Sequence, residues 1–78
     1  MVQPEQIRNY IQNGLECDLV EVQGDGHHFE AVIVSPAFRG KSKVQQHQLV
    51  YRALGERMRE EIHALSMRTL TPEEWNGQ

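Results

Sequence analysis

Disulfides are excluded at once, because Cys17 is the only cysteine in the 78-residue chain. A lone cysteine, with no signal-like apolar run ahead of it, fits a reducing, cytoplasmic compartment. No apolar stretch approaches the ~20 residues a membrane-spanning helix needs, so a soluble protein with no membrane partner is expected. Internal repeats and low-complexity segments are absent, which leaves one domain over residues 1–78, near the size where a single core is only marginally sufficient. Positive charge is scarce too: eight Lys and Arg stand against eleven Asp and Glu, a formal net charge of −3. That balance argues against binding nucleic acid through an overall field, although a local basic patch remains open. Catalytic signatures are missing as well. Ser35 and Ser42 have no motif pairing them with a base, Asp25 lies in a glycine turn, and no G-x-x-x-x-G-K-[ST] spacing supports a nucleotide loop. A non-enzymatic role is expected.

What is present reads as seven short elements. Residues 1–13 carry Pro4 and Glu5 in a first helical turn, with Ile7, Tyr10 and Ile11 on one face and Gly14 as the stop. Residues 17–23 are β-branched and partly alternating, Gly24-Asp25-Gly26 is turn chemistry, and residues 29–35 return as a second strand, giving an antiparallel hairpin. The second strand is apolar on both faces and is expected at the centre of its sheet. Ser35-Pro36 ends it. After a basic loop, Ser42 is the expected N-cap of a helix whose apolar stripe is Val44, His47, Tyr51, Leu54 and Met58, widened by Val50 and Ala53. Gly55 predicts either a break into two helices or a close packing contact. Residues 63–70 shorten to period two, with Leu65, Met67 and Thr69 on one side. Thr71-Pro72-Glu73-Glu74-Trp75 is a capped helical start with an aromatic to pin the tail. The order αββααβα predicts a two-layer α+β fold.

The residues able to carry chemistry are the four histidines and the basic loop. His27 and His28 stand at the hairpin tip, His63 where helix hands over to strand, and His47 on the long helix. Neutral imidazole is a ready metal ligand, so His63 and the loop pair are candidates if the fold brings them together. Set against this, loop histidines are commonly just solvated, a histidine at a helix C-terminus is favoured by the dipole, and no C-x-x-C or closely spaced helical pair supports a preassembled site. His47 fits packing better than ligation. Cys17 is more often a small buried residue than a ligand. Two imidazoles can complete part of an iron–sulfur coordination sphere, with the remaining ligands coming from another molecule. Arg39, Lys41 and Lys43 around Gly40, just before a helix N-terminus, could hold phosphate, or form an ordinary solvated loop.

The motifs in order are F-x-G-x-S at Phe38, Gly40 and Ser42, Q-H-Q-L-V-Y at Gln46 to Tyr51, H-A-L at His63 to Leu65, and T-P-x-E-W at Thr71 to Trp75. Together they resemble the BolA-like family across nearly the whole chain from the hairpin onward. The resemblance implies a fold similar to the class II KH domain, with a three-stranded mixed sheet and helices on one face. It also implies a non-enzymatic partner of monothiol glutaredoxins, monomeric or weakly homodimeric when alone. In the complex a glutathione-ligated [2Fe–2S] cluster is shared, in iron–sulfur trafficking or in iron and redox sensing. The histidine of the H-A-L motif, His63, is then the principal cluster ligand, with His28 as second ligand and His27 the neighbouring alternative. Some relatives bind DNA in stress or envelope programmes, a role for which this chain offers only Arg39, Lys41 and Lys43; fold similarity by itself is analogy, not mechanism.

Overall fold

A computed structural model describes residues 2–62 and 64–77. The elements are α1 (Pro4–Gly14), β1 (Leu19–Gly24), β2 (His28–Val34), a 3-10 turn (Pro36–Phe38), α2 (Lys43–Leu54), α3 (Arg57–Glu60), β3 (Ala64–Leu70) and α4 (Pro72–Asn76). The expected αββααβα order is therefore observed, in an arrangement compatible with the class II KH topology. β2 lies between β1 and β3, antiparallel to the first and parallel to the second. The parallel pair makes the sheet mixed, and helices α2 and α3 form the crossover such a pair requires.

Alternation along the strands sorts the sheet into two faces. Val20, Phe29, Ala31, Ile33 and Thr69 are buried, and the apolar ones among them pack with Ile7 and Ile11 of α1 and Val50 and Leu54 of α2. Glu21, Glu30, Ser66 and Arg68 alternate with them and are exposed. Ser35 is buried at the end of β2, where its hydroxyl donates to Glu16 O at 2.5 Å and accepts from the Ala37 N–H at 3.0 Å. That bonding makes it the cap of the 3-10 turn. Ser42 and Thr71 cap α2 and α4, each accepting from the N–H three residues on and receiving a Gln45 or Glu74 side chain in return.

Three expectations are corrected. The long helix buries only part of the stripe that apolar counting selects: Val50 and Leu54 are buried and Gln46 joins them, whereas Val44 is 67% and Tyr51 42% exposed. Gln46 decides this. Its amide N–H groups donate to Phe38 O (3.2 Å) and Lys41 O (3.0 Å), and its Oε1 accepts from the Thr69 hydroxyl at 2.7 Å. A glutamine with every bond satisfied sits in a core as readily as a leucine, but hydropathy scores it as surface. Gly14 is the last residue of α1 rather than a left-handed stop, and its role is close approach. A Cβ there would lie 2.8 Å from Cα and Cβ of Ala53 on α2. Trp75 is 37% exposed and is not part of the buried core. At Gly55 the helix does break: φ is +61°, a Cβ would meet nothing within 4 Å, and so conformation rather than packing demands glycine.

Candidate functional site

The hairpin tip is built by Asp25. Its Oδ1 accepts the backbone N–H groups of both His27 and His28 at 2.9 Å, and these bonds, His28's first, hold the Asp25 carboxyl below its usual range. The turn releases the chain into β2 at His28, with Phe29 directed into the core and His28 on the opposite, uncovered side with Glu30. His28 borders a shallow depression of about 460 Å³ with Gln23, Gly24, Asp25 and Glu30. His27 is also exposed but lies in the turn, before the strand begins. Across the sheet His28 is in register with Ala64. His63, the residue singled out as principal ligand, lies outside the described residues. Its sequence neighbours are Ile62, buried at 4% exposure, and Ala64, fixed in the parallel ladder.

Cys17 stands beyond the far end of β1, away from this turn. Its Sγ donates to Leu15 O at 3.3 Å, and burial first, then the charges of Asp18 and Glu16, push the thiol up to about 11. Its position at the opposite end of β1 from the turn keeps this thiol out of the hairpin's donor set. Among the described residues no three His, Cys, Asp or Glu side chains gather into a metal site. The donor set near the hairpin is thus imidazole without thiolate. It suits a cluster only if the thiolates arrive on a second molecule.

The basic loop is less available than its sequence suggests. Arg39 makes a two-pronged contact with Glu73 of α4, Nε to Oε1 at 2.9 Å and the terminal nitrogen to Oε2 at 2.6 Å. Lys43 Nζ donates to Thr69 O at 2.5 Å. Lys41 alone of the three makes no side-chain hydrogen bond or ion pair among the described residues. A signal that a charge count hides is the distribution: residues 31–55 contain no Asp or Glu but hold Arg39, Lys41, Lys43 and Arg52. His47, half-buried, borders a cleft of about 400 Å³ between α2, β3 and α4, together with Lys43, Arg68 and Glu74.

The profile of the family described as "BolA-like protein" matches residues 9–74. The chain belongs to the BolA-like family. Within it, the chain is 46% identical over 56 residues to the DNA-binding transcriptional regulator BolA of Haemophilus influenzae, covering 72% of this chain and 54% of that protein. It is 39% identical over 71 residues to the acid stress protein IbaG of Escherichia coli K12, covering 90% and 84% respectively. The alignment thus spans little more than half of the first relative. In structure it is similar to a BolA homologue from Coxiella burnetii, with a TM-score of 0.90, 47% identity, and 97% and 99% of the two chains covered. These BolA-like relatives are named as a regulator and a stress protein.

Proposed function

We propose that this chain is a non-enzymatic adaptor that binds a monothiol glutaredoxin and shares a [2Fe–2S] cluster with it and with glutathione. The role belongs to iron–sulfur trafficking or iron and redox sensing. His63 and His28 supply the imidazoles, with His27 the alternative to His28, and the partner side supplies the thiolates. The observation that carries the reading is the register of the parallel pair: His28 is matched with Ala64, the residue that follows His63 in sequence. The place of Cys17, at the opposite end of β1 from the turn, supports it by leaving the hairpin with imidazoles and no thiol of its own. Imidazole ligation makes the bound state sensitive to acid, because protons compete for the ring nitrogen, which suits transfer or sensing better than storage. The test is to mix the chain with a cluster-loaded monothiol glutaredoxin and record visible absorption and circular dichroism. The spectrum is expected to change with wild-type protein and to change much less with His63→Ala or His28→Ala. Spectra identical for wild type and both variants, with the heterodimer intact by gel filtration, would rule out histidine ligation.

A second reading is DNA binding through Arg39, Lys41 and Lys43. It is favoured by the acid-free run over residues 31–55 and by the name of the Haemophilus relative. It predicts duplex affinity that falls steeply with salt and weakens in Lys41→Ala, the loop cation whose side chain makes no hydrogen bond or ion pair among the described residues. A folded protein that fails to shift duplex DNA at low salt excludes it.

A further inference from the structure

Both outer strands of the sheet have an unpaired side, and a basic side chain from a helix closes each. Arg8 Nε of α1 donates to Val20 O on β1 at 3.0 Å, and Lys43 Nζ of α2 donates to Thr69 O on β3 at 2.5 Å. Exposed edges invite pairing with another chain, and charged groups laid on them are a recognised protection. The two edges differ in what lies behind the protection. β1 contains Glu21 and is flanked by Glu16, Asp18 and Asp25, so two such edges repel. β3, A-L-S-M-R-T-L, has no acid and a single cation, Arg68. The cleft beside its outer edge, about 400 Å³ and bordered by Met67 and Leu70, is roofed by Lys43.

We infer that Lys43 holds the outer edge of β3 closed, and that without this lysine two copies of the chain pair antiparallel along β3. The direction of the backbone groups sets the register. Ser35 N–H donates to Leu70 O at 3.0 Å, so the Leu70 carbonyl turns toward β2 and the Thr69 carbonyl turns outward to meet Lys43. By alternation Leu65, Met67 and Thr69 direct their backbone groups outward. A two-fold axis at Met67 then places Leu65 opposite Thr69 of the second copy and, on the uncovered face, Ser66 opposite its Arg68. No like charges meet, and a continuous six-stranded sheet results. In the closed state the ammonium occupies the Thr69 carbonyl, and an incoming strand must displace and desolvate it.

Lys43 is exposed at the start of α2, so its replacement leaves the core untouched. Sedimentation equilibrium on wild type, Lys43→Met, Lys43→Gln and Lys41→Met is the test, with folding checked by circular dichroism. The Lys43 variants are expected to self-associate about tenfold more tightly or better, on the scale of one lost charged hydrogen bond, and Lys41→Met to behave as wild type. Amide exchange should show new protection at Leu65, Met67 and Thr69 in the dimer. Adding Ser66→Arg, which sets two arginines face to face, should abolish it. Folded Lys43 variants that stay as monomeric as wild type overturn the inference. So does equal association of Lys41→Met, or a dimer without protection at those three amides.

Discussion

Gln46 joins the loop just ahead of α2 to β3, 23 residues further along the chain. Through one amide it ties the loop carbonyls of Phe38 and Lys41 and the hydroxyl of Thr69 to the buried face of α2. Gln46→Leu keeps the volume but strands two carbonyls and a hydroxyl. It is expected to lower stability by about 3 kcal/mol in urea unfolding, against about 1.5 kcal/mol for Thr69→Val. The double variant should lose less than the sum, because the second change removes a partner already orphaned. Cys17 gives a second prediction at this scale. With its thiol at about 11 rather than the usual 9.0, it should react roughly a hundredfold more slowly than a free cysteine with a disulfide reagent at pH 8. A rate near that of free cysteine would mean that the Leu15 contact and the burial do not persist in solution.

At the scale of elements, two glycines shape the helical layer for opposite reasons. Gly14 lets α1 approach α2 to within van der Waals contact at Ala53, whereas Gly55 has open space around it and serves through its positive φ. Gly14→Ala is expected to destabilise by about 2 kcal/mol, with partial rescue by Ala53→Gly. Gly55→Ala should lose about 1 kcal/mol and gain nothing from any neighbouring change. Denaturant unfolding of these variants separates steric from conformational demand. The same glycine break lets the chain turn from α2 into α3 and come back as β3 beside β2. The site proposed for the histidines depends on that return.

For the whole molecule, three carboxylates fasten its outer joints, and all three are held below their ordinary values. Backbone N–H groups of His28 and His27 lower Asp25, the Arg39 guanidinium lowers Glu73, and the Thr71 N–H lowers Glu74. A depressed carboxyl contributes stability that is complete above its unfolded-state value, ordinarily 3.8 for Asp and 4.5 for Glu, and that disappears as pH falls through the folded-state value. Unfolding followed by circular dichroism should therefore show stability flat above about pH 5 and declining below about pH 4. Replacing Glu73 and Glu74 with glutamine should flatten that decline. All three groups are fully exposed, so added salt should weaken the effect.

Local rules carried much of this protein. The hairpin around Gly24-Asp25-Gly26, the caps at Ser42 and Thr71, the break at Gly55 and the central place of β2 all follow from turn chemistry, capping and period, which act over three or four residues. The family was legible for the same reason, since its motifs sit at those joints. Tertiary structure alone decided that Gln46 joins Val50 and Leu54 on the buried face of α2, what occupies Arg39 and Lys43, and why Gly14 is needed. In each case the deciding partner is far along the chain: Thr69 for Gln46 and Lys43, Glu73 for Arg39, Ala53 for Gly14. A polar side chain is surface or core according to whether such a partner meets it, and the charge and hydropathy of the residue itself do not contain that information.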